Sequence, residues 1–199
     1  MFTGLIQSKG EVLTCHVKDN NYTFTVASKF TDMNDVALGD SITMNGICLT
    51  VTGIQGDVVG VDVSRETINL TDAKSWAVGT VLNLEKSLAL KDKLGGHMVS
   101  GHVDSLAKCV KIEPSGTSII YGFQIPPSFD KFIVKKGSVA INGVSLTVNE
   151  IEDCVLYVNI IPHTLAMTNL GLLALGDMVN FEIDTIARYV EKMLRGFTS

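Results

Sequence analysis

The segment Gly46-Ile-Cys-Leu-Thr-Val51 returns as Gly143-Val-Ser-Leu-Thr-Val148, and the echo runs through the chain at one constant offset of 97 residues. Met1-Phe-Thr-Gly4 lies over Met98-Val-Ser-Gly101, Thr67 over Thr164, Gly79 over Gly176, Asn83 over Asn180 and Glu85 over Glu182. A repeat of this length means that one structural unit is built twice. The 199 residues therefore divide into modules at 1–97 and 98–185, with a tail over 186–199 that stands outside the repeat. Modules this small bury a modest core, so packing against each other or in an assembly adds to their stability.

Each half carries short apolar-alternating runs separated by Gly, Asn and Asp: Tyr22–Val26, Ser41–Thr43, Ile47–Thr52, Val58–Val63 and Val81–Glu85, with counterparts in the second half. Short strands at such spacing predict a small antiparallel β-barrel per module. Gly56-Asp57 reads as a hairpin turn, Leu88–Gly96 as the linker between modules, and Pro114-Ser-Gly and Pro126-Pro127 as loops. In the tail, Ile186, Tyr189, Val190, Met193, Leu194 and Phe197 share one face of a helix, with Asp184 or Thr185 as its cap and Arg188, Lys192 and Arg195 on the other face. Two readings of that stripe stand: a helix packed on its own barrels, or an oligomerisation helix.

The net charge of −5 disfavours nucleic acid or an anionic membrane surface as partner. The opening Met-Phe-Thr-Gly-Leu-Ile has neither a basic region nor a long apolar core, and the four cysteines, at 15, 48, 109 and 154, show no paired CxxC spacing. Free thiols in a reducing cytosol, and no membrane span, are the expectation.

In Ile47–Thr52 the odd positions are apolar and the even ones polar, so Ile47, Leu49 and Val51 should face the core while Cys48, Thr50 and Thr52 face outward. The second copy places Val144, Leu146 and Val148 inside and Ser145, Thr147 and Asn149 outside. Strand propensity accounts for the threonines, but it accounts poorly for an outward cysteine. Asp62, Thr67, Asn159 and Thr164 are short hydrogen-bonding groups suited to a polyol or to the edge of a heterocycle. Gly4 and Gly101 either let a flat ligand approach the backbone or mark a strand bend. Lys136 is a solvated turn residue or a ligand contact. His97 and His102, five apart, should point to opposite faces of a strand, and without a cysteine/histidine cluster they make no zinc site. His102 replaces Leu5 of the first copy, either as a structural histidine or as a functional group. No phosphate loop, nucleophile elbow or catalytic triad spacing is present.

The opening Met-Phe-Thr-Gly, Asn45-Gly-Ile-Cys-Leu-Thr-Val51, Gly95-Gly-His-Met-Val-Ser-Gly-His-Val103, Gly143-Val-Ser-Leu-Thr-Val148 and Ile160-Ile-Pro-His-Thr164, five motifs in order on the duplicated frame, resemble the riboflavin synthase (alpha chain) family. The resemblance implies two tandem six-stranded Greek-key barrels, a C-terminal helix and a homotrimer, with association with a lumazine synthase as a further possible partner. It implies a transferase acting on two molecules of 6,7-dimethyl-8-ribityllumazine, one giving four carbons to the other to yield riboflavin and 5-amino-6-ribitylaminouracil, with no metal or organic cofactor. Carried over by position, one lumazine would be held by Gly4, Leu5, Ile6, Cys48, Leu49, Thr50 and the run Asp62, Val63, Ser64, Arg65, Glu66, Thr67. The other would be held by Gly101, His102, Val103, Lys136, Ser145, Leu146, Thr147 and the run Asn159, Ile160, Ile161, Pro162, His163, Thr164. Phe2, Cys48 and His102 are the positions most tied to activity, assisted by Ser145 and Thr147. The family's working site lies between the first barrel of one subunit and the second barrel of its neighbour. Asn142 stands where some members carry Asp.

Chemically, the lumazine methyl beside the ribityl nitrogen is acidic because its carbanion delocalises into the ring, so His102 with nearby hydroxyls suits proton removal. Cys48 suits transient addition to the partner ring. The competing reading is a lumazine- or flavin-binding antenna protein on the same barrels, and a purely structural repeat would leave the paired outward polar residues unexplained.

Overall fold

The computed structural model describes residues 1–19 and 21–195, with the backbone only at Arg195. Twelve strands form two closed antiparallel barrels of six. The first comprises β1 (Ser8–Lys18), β2 (Asn21–Ala27), β3 (Ser41–Met44), β4 (Ile47–Gln55), β5 (Val58–Val63) and β6 (Val81–Lys86), in the closed order β1-β2-β5-β4-β3-β6. The second comprises β7 (Ser105–Ser115), β8 (Ser118–Gln124), β9 (Ser138–Ile141), β10 (Val144–Glu152), β11 (Val155–Ile160) and β12 (Met178–Ile183), closed in the equivalent order. Register shifts recur at equivalent places, Val12/Thr14 with Cys109/Lys111 and Val51/Gly53 with Val148/Glu150. Such bulges add the local bend that lets a short sheet close.

The alternation read from the sequence sets the inside of each barrel. Phe24, Val26, Ile42, Leu49, Val51 and Leu82 fill the first, and Phe123, Ile141, Leu146, Val148 and Phe181 the second. After β5 the short helix α1 (Arg65–Leu70) and a 3-10 turn plug the barrel end with Ile68 and Trp76, the indole standing edge-on to Phe24. Helix α2 (Pro162–Met167) does the same for the second barrel. Both helices begin within the runs expected only to be ligand-binding segments and extend three residues beyond them, and they are too short for apolar periodicity to reveal. Pro114 lies inside β7, with the turn at the following residues, and a 3-10 turn occupies Pro127–Phe132.

The barrels meet about a local two-fold axis. Gly46 touches Gly143 so closely that a Cβ on Gly46 would stand 2.6 Å from the Gly143 nitrogen. Around this contact lies a ring of buried amides: Asn83 Nδ2 donates to the Asn142 carbonyl (2.9 Å), Asn180 Nδ2 to the Asn45 carbonyl (2.8 Å), and Asn169 Nδ2 to Asn45 Oδ1 (2.9 Å). Asp72 closes the ring by accepting from Asn45 and Asn180 at 2.8 and 2.7 Å, and burial raises its pKa. Asn142 therefore belongs to the joint between barrels, where its side chain accepts from the Asn180 N–H at 2.8 Å.

Gly46→Ala tests this joint. The left-handed φ of +79° and the backbone contact together predict a loss of about 2–5 kcal/mol. Gly39→Ala, at a φ of +91° with nothing within 4 Å, should lose only about 1–2 kcal/mol. Urea unfolding of the two variants measures the difference.

Helix α3 (Thr185–Arg195) follows β12, its first turn capped by Asp184, whose carboxylate accepts from the Ile186 N–H at 2.9 Å. It leans on the second barrel through Arg188 bonded to Asp104 (2.6 Å) and Lys131 paired with Glu191. Ile186, Tyr189, Val190, Met193 and Leu194 remain 49–66% exposed. Phe197, expected on the same face, lies outside the described residues. Among the described residues, no helix is long and apolar enough to cross a membrane.

Candidate active site

Strand β5 reaches β4 only from Val51 onward, and β11 reaches β10 only from Val148, which leaves the first half of each central strand with an open edge. The other module covers it. Cys48 N–H donates to the Gly101 carbonyl (2.8 Å), and Ser145 N–H donates to the Gly4 carbonyl (2.9 Å). The contact demands glycine, since a Cβ on Gly101 would stand 2.6 Å from Cys48 Cβ and one on Gly4 the same distance from Ser145 Cβ.

The two segments thus exchange partners. Gly101, His102 and Val103 join Cys48, Leu49, Thr50 and the Asp62–Thr67 run. Gly4, Leu5 and Ile6 join Ser145, Leu146, Thr147 and the Asn159–Thr164 run. This corrects the expected grouping, which kept each segment with its own module. The cores show the same crossing: Val103 packs into the first barrel and Ile6 against the second. An antiparallel bridge between Phe2 and Val99 forms the crossing point, with N–H to carbonyl distances of 2.8 and 3.1 Å.

Phe2 is also corrected. It is fully buried in a cluster with Val99 and Ala140, against which Cys48 packs, so its side chain lies behind the Cys48 strand and not on the exposed outer face. Phe2→Ala should cost about 3–5 kcal/mol by cavity formation. Thermal unfolding of this variant should show the loss, and turnover should fall with it.

Buried carboxylates fix the crossed segments. Glu85 accepts from Thr3 N–H (2.7 Å), Thr3 hydroxyl (2.6 Å) and Gly4 N–H (3.0 Å). Glu182 accepts from the Ser100 N–H and hydroxyl (both 2.7 Å) and the Gly101 N–H (3.0 Å). Burial raises the pKa of both, against the opposing effect of these donors. The repeat had aligned Glu85 with Glu182 without revealing that they anchor the site.

Leu5 and His102 stand exposed at equivalent places, one apolar and one ionisable. Cys48 and Ser145 are half-buried, while Thr50, Thr147, Asp62 and Asn159 are exposed on the outer face. Thr23 donates to Asp62 at 2.8 Å, and Ser64 caps α1 by accepting from the Thr67 N–H at 3.3 Å. Arg65, Glu66, Ile161, Pro162 and His163 are exposed on the helix starts, with Thr67 and Thr164 half-buried. Leu49, Val63, Leu146 and Ile160 point into the cores, so any ligand contact from them comes from the backbone. Lys136 is exposed at a φ of +69°, where the first barrel has Gly39. His97, dismissed as a metal ligand, is buried with Nδ1 2.7 Å from Ser145 Oγ.

The two equivalent faces thus combine an exposed strand of hydroxyl or thiol groups, a glycine segment offering backbone polar groups, and a short helix start. That arrangement suits a flat heterocycle with a polyol chain, and it is present twice. The comparisons agree. The Lumazine binding domain family matches residues 3–87 and 100–184. The chain is 38% identical over 194 residues to the riboflavin synthase of Photobacterium phosphoreum, covering 98% of this chain and 89% of that protein. It is 37% identical to that of Bacillus subtilis (98% and 90% covered), and 37% identical to that of Mycobacterium bovis (98% of each). Crystal structures of LumP superpose with TM-scores of 0.85 for the complex with riboflavin and 0.83 for that with 6,7-dimethyl-8-(1'-D-ribityl) lumazine. These are 29% and 28% identical and cover 92% of this chain and 99% of LumP. On a twice-matched domain and full-length relatives of one name, the chain belongs to the riboflavin synthase family of paired lumazine-binding barrels.

Proposed function

We propose that this chain is a riboflavin synthase, converting two molecules of 6,7-dimethyl-8-ribityllumazine into riboflavin and 5-amino-6-ribitylaminouracil. The observation that carries the reading is the pair of like-built pockets with unlike reactive groups, Cys48 with His102 in one and Ser145 with Leu5 in the other. A reaction between two identical molecules needs two similar sites, and it needs a chemical difference to give them opposite roles. The transfer balances without an outside oxidant: one ring loses the four carbons that the other gains.

In this reading the Asp62–Thr67 and Asn159–Thr164 runs hold the ribityl chains, and Thr50 and Thr147 bond the ring edges. His102 takes the acidic methyl proton, and Cys48 adds to or polarises the ring that is attacked. Holding the rings face to face removes much of the entropic barrier, roughly 7–11 kcal/mol in favourable systems. The facing pair forms between the first barrel of one subunit and the second barrel of its neighbour, in a homotrimer assembled through the exposed stripe of α3. Work in the cytosol follows from such a role.

The LumP structures, titled as complexes with riboflavin and with the lumazine, favour a second reading in which the chain binds these molecules without turning them over. Mixing the purified chain with the lumazine separates the two. Riboflavin should accumulate with half the lumazine consumed appearing as product. Tight binding with unchanged lumazine would reverse the conclusion.

A further inference from the structure

The crossed segment that carries His102 is tied to both barrels, and one of its ties reaches the tail helix. Glu182 holds its start at Ser100 and Gly101, and Val103 sits in the first-barrel core. Asp104 holds its end. The Asp104 N–H donates to the Phe181 carbonyl at 2.9 Å, and the carboxylate accepts from the Ile183 N–H at 2.9 Å. The other carboxylate oxygen accepts from Arg188 of α3 at 2.6 Å. The Asp104 side chain is only 7% exposed, and among the described residues no other cation pairs with it. The first copy has no equivalent link. There the counterpart of Asp104 is Gln7, a neutral side chain that accepts from the Lys86 N–H at 3.0 Å.

Two carboxylates therefore hold one short segment, and the charge of Asp104 works against the ionised form of Glu182. Arg188 offsets that charge through a bond to a buried carboxylate, where a charge-assisted hydrogen bond is stronger than in water. His102 itself is exposed, so the place of its ring is set by the backbone on either side. We propose that Arg188 is a positioning residue for the transfer reaction: through Asp104 it fixes the segment that presents His102, and so ties the proton-removing group of one pocket to the helix that carries the exposed apolar stripe. The proposal rests on the reading of the chain as a riboflavin synthase. Arg188 reaches the barrel while Ile186, Tyr189, Val190, Met193 and Leu194 stay exposed, so one helix serves assembly and positioning through different side chains.

The test is a set of full-length variants read as kcat and KM for riboflavin formation. Arg188→Gln should lower kcat about tenfold with KM changed less than about twofold, since the reacting group shifts while the groups that bind the ligand stay in place. Arg188→Lys keeps the charge and should regain most of the rate. Asp104→Asn keeps an oxygen for the Ile183 N–H but loses the ion pair, so it should be slowed to a similar degree, and combining it with Arg188→Gln should slow it no further. On a His102→Ala background Arg188→Gln should have no further effect, whereas a merely structural role would slow both backgrounds alike. Sedimentation of Arg188→Gln should match that of the unmodified chain. An unchanged kcat overturns the proposal, as does equal slowing with and without His102, or altered sedimentation, which would assign the loss to assembly. Should Arg188→Gln fail to fold, Asp104→Asn takes its place in the same comparison with and without His102, with the same outcomes deciding. The unmodified chain is the control: if it makes no riboflavin the functional reading itself falls, whereas normal turnover with slowing independent of His102 removes only this assignment.

Discussion

Cys48→Ser is expected to lower turnover by roughly 100-fold, the low end for loss of a group acting directly on the reacting atoms. Ligand affinity should shift by less than about 1 kcal/mol. The two expectations separate because of where the residue sits. Its backbone N–H is already committed to Gly101, and its Cβ packs on that glycine and on the Phe2 cluster. Serine repeats all of this, and it occupies the equivalent place in the second barrel without disturbing the crossed segment there. What serine lacks is a polarisable sulfur that can add to an electron-poor ring. A fall in kcat with unchanged affinity therefore reports chemistry, whereas a parallel fall in both would report a reshaped pocket. Fluorescence titration with riboflavin and initial rates on the lumazine give the two quantities, and full turnover in the variant would remove Cys48 from the mechanism.

The alternation of Ile47–Thr52 gave the inward and outward faces of the central strand correctly, because a period of two is a local property. The repeat gave two barrels for the same reason: it is written in the residues themselves. What the sequence could not display was which edge each segment would cover. Gly101 and Gly4 are equally compatible with their own module and with the other, and only the three-dimensional joint at Gly46 and Gly143 selects the crossing. Phe2 illustrates the same limit. Its place in a motif marked it as important, and nothing local in Met1-Phe-Thr-Gly4 could show that it is fully buried in the cluster against which Cys48 packs. His97 was weighed only as a metal ligand beside His102 and set aside, and its contact with Ser145, 48 residues away, has no local signal in the sequence. The amphipathic stripe of the tail was plain, and the structure shows that the helix rests on its own barrel by Arg188 and Glu191 while the stripe stays exposed.

Removing residues 186–199 is expected to give a monomer whose barrels remain folded and whose riboflavin formation falls by at least about 100-fold, as befits loss of one of two positioned reactants. The deletion leaves the strands intact: the partly exposed Lys131–Glu191 pair is worth about 0–1 kcal/mol, and the buried Asp104 carboxylate loses Arg188 but keeps the Ile183 N–H and gains water where the helix lay. It removes an apolar stripe of five large residues that a lone chain leaves in water. Sedimentation should therefore change while the barrels still unfold cooperatively, at a midpoint lowered by the loss of subunit association, and a truncated chain that still sediments as a trimer would refute the assembly role. The intact chain allows a sharper test of where the site is shared. Co-expressed Cys48→Ala and Ser145→Ala subunits each spoil a different pocket. If the first barrel of one subunit faces the second barrel of the next, random mixing leaves about a quarter of the sites with both pockets unaltered, because each pocket comes from an independently drawn subunit. Activity near a quarter of the unmodified level should then return from two nearly inactive parents. If both pockets of one site came from the same chain, every site would carry one defect or the other, and mixing would restore nothing.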